Sequence, residues 1–386
     1  MQKKLIALAV AGLVSGVAAA QTNVTMYGVL DLAYVYSSGG AGRLPGPMGI
    51  RIPGTNTFSG ISGIGAGNRI GFKGEEALGN GLKAVFTLEY GLDPDSNQGI
   101  GTGGLNARQQ FVGLASKYGQ VALGRQYSPG FNASANNDAL DASDFGIQSS
   151  LSAINGYTIT PNSPARFNNA ITYTSPNMSG FSANVIYSFG ENNLGGTYND
   201  KINSTLDNSK VGVGLNYNNG PLNLDAVYQS RLSFAPANPT PPPYKLPGTS
   251  SSINEWYVGG SWDFKVVKIF GSYQALDNNN NIIQTGIDSS DLWTAGVSAP
   301  IGRGTLGLSY GRLVTDRNYA SDGVSWGAGT QYVYPLSKRT SVYGAYSYFN
   351  NNSNVLLPGQ AIAVPGIVGA AGETNYALGA GITHSF

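Results

Sequence analysis

The sequence predicts an all-β fold, a 16-stranded antiparallel transmembrane β-barrel, on three observations. Apolar residues recur at every second position along most of the chain. Short turns alternate with long polar connections. Charges are scarce, yet no apolar stretch after the N-terminus is long enough to cross a bilayer as a helix.

The alternation comes first. Val24, Met26, Leu30, Leu32, Tyr34 and Tyr36 share one parity, with Thr25, Tyr27 and Asp31 on the other. Leu82, Ala84, Phe86, Leu88 and Tyr90 alternate with Lys83, Val85, Thr87 and Glu89. The same pattern runs through Val211–Tyr217 and Leu222–Gln229. Successive strand side chains point to opposite faces, so each segment has an apolar and a polar or small face. The apolar faces finish in Tyr36, Tyr90, Tyr217 and Tyr228, as expected where lipid gives way to headgroups.

The connections set the topology. Leu78–Gly81, Ser116–Gly119, Pro176–Gly180, Asn218–Pro221, Pro300–Gly304 and Pro335–Lys338 read as tight turns. Between them lie Ser37–Ala66, Ser128–Ala165, Glu191–Asn208, Leu232–Ser252 and Asn350–Gly372, rich in Gly, Asn, Ser and Pro. Six prolines between Pro236 and Pro247 remove amide donors that a strand needs, so that segment is a loop. Counting from Asn23–Tyr36 to Glu373–Phe386 gives 16 strands. An even number lets both ends meet on one side and leaves no open edge in lipid.

Composition removes other classes. Charged residues are 11% of the chain, against about 25% in soluble domains. Lys3 and Lys4, the apolar run Leu5–Val14 and Ala18-Ala19-Ala20 form a cleavable secretory signal over residues 1–20, leaving a single domain, 21–386. Without Lys3 and Lys4 the 22 lysines and arginines fall to 20, against 21 acids, which gives no basic excess for nucleic acid. There is no cysteine and one histidine, His384, so thiolate metal sites, cysteine nucleophiles and most histidine catalysis are excluded. Gly63-Ile64-Gly65-Ala66-Gly67 lacks the lysine of a phosphate loop. No cofactor is expected, and the chain is not expected to be an enzyme.

Several motifs then carry a resemblance. Met26-Tyr27-Gly28-Val29-Leu30-Asp31, Asn68-Arg69-Ile70-Gly71-Phe72-Lys73-Gly74-Glu75-Glu76, Arg108-Gln109-Gln110-Phe111-Val112-Gly113-Leu114 and Leu123-Gly124-Arg125-Gln126-Tyr127 occur in order. Ile171-Thr172-Tyr173-Thr174-Ser175-Pro176 and Gly381-Ile382-Thr383-His384-Ser385-Phe386 follow. Together they resemble the Gram-negative general porins, above all the trimeric porins of beta-proteobacteria. The resemblance implies an outer-membrane, water-filled channel for passive diffusion of ions and small hydrophilic solutes. It also implies a homotrimer set among outer-membrane lipid and lipopolysaccharide, and an inward-folded third loop, here Ser128–Ala165. A substrate-specific channel and an adhesin-like barrel are the alternatives.

In this family acids on that loop oppose basic groups on the wall. Ile70 and Phe72 on the lipid face would send Arg69 and Lys73 inward. Phe167, Ile171 and Tyr173 outward would leave Arg166 and Asn168 inside, and the same logic at Phe111 turns Arg108 and Gln110 inward. Asp138, Asp141 and Asp144 are the loop's candidate acids. The family's Pro-Glu-Phe-Gly loop motif is absent, and Asp144-Phe145-Gly146 is a partial echo. Arg125 shares the parity of Val121 and Leu123 and reads as a rim or subunit-interface residue. Phe386 matches the terminal residue read by the barrel-assembly machinery, and His384 is an interface residue.

Overall fold

The computed structural model describes residues 23–43, 51–96, 106–154, 156–190, 209–232, 252–278, 287–317, 321–355, 364–365, 367 and 369–386. The N-terminal signal segment 1–20 and the proline-rich segment 236–247 lie outside the described residues.

The chain is a closed antiparallel barrel with 16 strand positions. Strand β1 (Asn23–Gly39) pairs along one edge with β16 (Thr374–Ser385), from Val29↔Ser385 to Gly39↔Asn375. Its other edge pairs with two pieces that share one barrel position, β2a (Thr55–Ser62) and β2b (Arg69–Gly79). Neighbours then follow in chain order. They are β3 (Leu82–Gly91), β4 (Asn106–Ser116), β5 (Gly119–Tyr127), β6 (Arg166–Thr174), β7 (Phe181–Ser188), β8 (Ser209–Asn219) and β9 (Leu222–Leu232). The circuit continues through β10 (Ser252–Asp263), β11 (Lys268–Asn278), β12 (Ile287–Ile301), β13 (Gly304–Arg317), β14 (Gly323–Pro335) and β15 (Thr340–Asn351).

The tight turns lie at one end, where residues of positive φ reverse the chain. Gly79, Asn80 and Gly81 have φ of 89°, 51° and 78°, a conformation that favours glycine and asparagine. The segment Ser37–Ala66 departs from expectation, because β2a occupies Thr55–Ser62 within it. Its inward face is polar apart from Ile61, so only Phe58 signals the outer face, where it stacks on Tyr34 at 5.8 Å. Gly63–Asn68, between β2a and β2b, turns over the buried Asp31. The Gly65 amide donates to Asp31 Oδ1 at 3.0 Å, and the Asp31 amide donates to Asn68 Oδ1.

The outer face is apolar and exposed, with Met26, Val112, Leu215, Val258 and Leu378 among its side chains. Only a lipid setting makes such a face stable around a whole barrel. Aromatics gather along it: Trp293, Tyr310, Trp326 and Tyr348 follow one another at 5.3, 5.9 and 5.4 Å.

The connection between β5 and β6 enters the barrel. It carries α1 (Pro129–Asn136), capped by the Ser128 hydroxyl accepting from the Phe131 amide, and α2 (Ile147–Ile154). Phe145, Ile147, Leu151 and Tyr157 bury themselves against inward residues of β10 to β16, including Ile253, Leu292, Leu313 and Tyr343. The largest apolar core therefore lies inside the barrel, between loop and wall.

Candidate functional site

The loop crosses the lumen and leaves a cavity of about 360 Å³ between its free side and the wall of β2b to β6. Arg69, Arg108 and Arg166 line one side, and Asp141 and Asp144 the other. Asp144 is tied to the opposite wall through the backbone, its amide donating to Ile64 O at 2.8 Å. A Cβ at Gly67 would stand 3.1 Å from Arg108 Nη1, so any larger residue there would press on that guanidinium.

Two of the arginines, Arg108 and Arg69, stand against a buried acid. Glu89 accepts from Arg108 Nε at 2.7 Å and from the Tyr27 hydroxyl at 3.0 Å, with Arg69 Nε 3.9 Å away. Arg108 Nη2 donates to the Tyr127 hydroxyl at 3.2 Å. A carboxylate taken out of water persists only with such partners. Its sequence signal was its place in the alternation of β3, on the face opposite Leu88, but nothing in the string pairs it with Arg108.

Strand parity alone does not put Arg108 there. The β3–β4 register runs Leu88↔Gln110 and then Tyr90↔Ala107, so Arg108 and Gln109 together oppose Glu89. This bulge reverses the parity. Phe111, opposite Thr87, therefore faces the lumen, while Gln110 shares the outer face with Leu88, contrary to the expectation for Gln110. A second bulge separates Gly124↔Ala170 from Gln126↔Phe167, with Asn169 at a φ of 46°. Phe167 consequently packs inside with Ala170 and Ile186 instead of facing lipid. Arg166 reaches the lumen at the very start of β6, after the short helical turn Ser163–Ala165.

Two predicted members lie elsewhere. Lys73 is inward but four residues farther toward the turn end than Arg69, about 13 Å along the strand. It lies 5.3 Å from the Tyr27 ring centroid and lines a separate cavity with Thr25, Glu75 and Phe111. Asp138 does not line the constriction. Its Oδ1 accepts from the Leu140 amide at 2.9 Å within a buried turn, the local structure that short acidic side chains favour. Burial pushes its carboxyl up to about 6. Asp144, wet on the lumen side but crowded by loop and wall, is also pushed up to about 6 by desolvation, and the like charge of Asp31 adds to it. Asp141 is raised by desolvation, which Lys268 counters.

Arg125 donates to Ala107 O at 3.0 Å and to Arg166 O at 3.3 Å. It lines a larger open cavity of about 650 Å³ on the loop side of Arg108 and Arg166. His384 is exposed, with Nδ1 2.9 Å from the Thr340 hydroxyl. Phe386 closes the barrel: its amide and carbonyl exchange hydrogen bonds of 3.1 Å with Gly28, and its ring occupies the space a Gly28 side chain would need. Among the described residues no group of three or more His, Asp or Glu is arranged to hold a metal.

A lipid-facing barrel narrowed by an inward loop between opposed charges is the architecture of a diffusion channel. The sequence matches the Gram-negative porin family over residues 7–354. The chain belongs to this family. It is 30% identical to the outer membrane porin protein 32 of Delftia acidovorans over the full length of both chains. An outer membrane porin protein of Bordetella pertussis is 28% identical, over 91% of this chain and 95% of that one. Among solved structures, the anion-selective porin from Comamonas acidovorans superposes with a TM-score of 0.71 at 25% identity, covering 95% of this chain and all of that one. OmpF of Salmonella typhi shares the fold, with a TM-score of 0.60 at 16% identity.

The protein is thus an outer-membrane porin, a water-filled β-barrel through which ions and small hydrophilic solutes diffuse passively.

Proposed function

We propose that solute selection in this porin takes place in the cleft between Arg69, Arg108 and Arg166 and the facing Asp141 and Asp144, and that it favours anions weakly. The observation that carries this reading is the lining of the constriction, three guanidinium groups against two carboxylates. Charged side chains around a narrow aqueous passage set its ion preference through the local field. Glu89 offsets part of the basic charge from behind, which keeps the preference modest. A structural neighbour described as an anion-selective porin is consistent with it. The transverse field also orients dipolar solutes and disfavours apolar ones, so no dedicated substrate is needed to explain the lining.

The same reading includes maturation at Gln21, a homotrimer among lipopolysaccharide and other outer-membrane lipid, and recognition of Phe386 by the barrel-assembly machinery. The OmpT porin of Vibrio cholerae, at 14% identity, is described in a trimer form and supports the assembly only by likeness of fold. A catalytic role is not proposed, since His384 stands exposed at the barrel end with Thr340 as its hydrogen-bond partner.

The test is the reversal potential of the refolded protein in a planar bilayer under a KCl gradient. Arg69→Ser with Arg108→Ser should move the preference toward cations, and an unchanged potential would sink the assignment.

A further inference from the structure

Arg166 differs from the other two arginines of the constriction. Its side chain is almost fully enclosed, at 8% residue exposure; the guanidinium has a hydrogen bond with Tyr127, while its Nε has no partner among the described residues. Arg108 has Glu89 and Tyr127, and Arg69 donates to Gly67 O at 3.0 Å. The Nε lies out of reach of solvent, so what a solute can meet is the part of the guanidinium that lines the cavity.

Beside Arg166 stands a rigid aromatic stack. The Tyr127 and Phe131 rings are parallel to within 3°, with centroids 3.7 Å apart. The guanidinium carbon of Arg166 lies 5.2 Å from the first centroid and 5.5 Å from the second. Both rings are anchored. The Tyr127 hydroxyl is held between Arg108 and Glu89, and the Phe131 amide is capped by Ser128 at the start of α1. Phe131 lines the constriction and Tyr127 does not, so the stack shows its Phe131 side to the passage. A hydrated chloride ion makes no use of an aromatic surface. A ring does, and a guanidinium fork matches a planar carboxylate.

We propose that the constriction is a recognition site for small planar aromatic monocarboxylates, the carboxylate held at Arg166 and the ring laid against Phe131. This rests on the charge assignment above and names the solute class that assignment leaves open. The cavity, at about 360 Å³, falls within the size range of small-molecule sites. Asp141 and Asp144 across the passage select for a single negative charge, because a second carboxylate would meet them.

The experiment adds benzoate, cyclohexanecarboxylate or acetate to the wild-type porin in a planar bilayer and reads the concentration that halves the chloride current. Benzoate and cyclohexanecarboxylate carry the same charge, but only the first is planar and aromatic. Benzoate should act at a concentration roughly two- to tenfold below cyclohexanecarboxylate, the range expected for one aromatic contact, with acetate weakest. Phe131→Leu should bring the ratio of the first two toward one, whatever it does to conductance. Arg166→Gln should weaken both together. Equal action of benzoate and cyclohexanecarboxylate on the wild type, with chloride preference still dependent on Arg69 and Arg108, would overturn the aromatic site alone. Loss of that dependence would overturn the charge assignment beneath it.

Discussion

The two walls of the lumen share one strand geometry and carry opposite kinds of inward residue. Along β10 to β16 the inward positions hold Ile253, Leu276, Leu292, Leu313 and Tyr343, and the loop covers them with Phe145, Ile147 and Leu151. Along β2b to β6 they hold Arg69, Glu89, Arg108, Tyr127 and Arg166; the loop's Phe131 stacks on Tyr127, but a cavity separates Asp141 and Asp144 from the arginines. Polar contacts widen the difference. Glu255, buried to 1% exposure, accepts from the Thr158 amide at 2.8 Å, the Thr158 hydroxyl at 2.7 Å and the Ile159 amide at 3.1 Å. It also pairs with Arg231 Nη2 at 2.8 Å. Gln229 and Gln274 bind the same stretch, at Thr158 Oγ1 and Ile159 O, each at 2.8 Å. One wall fixes the loop through these hydrogen bonds and the apolar core. The other keeps charge available to whatever passes. A constriction needs both, because a field is selective only if its sources stay in place.

The largest effect should come from breaking the fixed side. Glu255→Ala strips the Thr158 and Ile159 amides and Arg231 of their shared acceptor, and removing one partner of a buried ion pair costs about 3–5 kcal/mol. The loop should then sample several positions, giving open-channel current that is noisier and spread over several conductance levels. Single-channel recording checks this, and a current as quiet and uniform as that of the wild type would show that the apolar core alone pins the loop.

A smaller effect belongs to the open side. Asp144 has its carboxyl raised to about 6. The groups around it are Asp31 and Tyr343 on the barrel, Asp141 on the loop, and the three arginines across the cavity. A raised pKa means the carboxylate is charged above about pH 6 and neutral below it, so acidification removes a negative charge from the constriction. Anion preference should therefore rise as pH falls from 7.5 to 5, and Asp144→Asn should flatten that dependence. Reversal potentials measured across this range test it. A preference that falls with acid would contradict the assignment.

The contrast between the walls was only partly legible in the sequence. The barrel, its strand count and the turns follow from alternation and turn residues, which are local signals, whereas the inward loop was implied only by the family resemblance. Arg69 was also legible, because β2b keeps its parity from Phe72 upward. Arg108 and Arg166 reach the lumen for reasons parity does not contain. A bulge opposite Glu89 turns one of them inward, and the other stands at the start of its strand. The same irregularities put Phe111 and Phe167 inside, against the lipid-facing positions that simple alternation assigns them. Asp138 was read as an eyelet acid because spacing does not separate a turn-capping aspartate from one that faces solvent. Glu89 and Glu255 went unassigned for a different reason. Their roles depend on partners far away in sequence, brought together only when the sheet closes.

The central claim is that Arg69, Arg108 and Arg166 face Asp141 and Asp144 across one constriction and act on the same passing ion. The direct measurement compares reversal potentials, under one KCl gradient, for the wild type, the triple variant R69S/R108S/R166S and the double variant D141N/D144N. The account predicts shifts of opposite sign, toward cations for the first variant and toward anions for the second. Shifts of the same sign, or none in either variant, would contradict it.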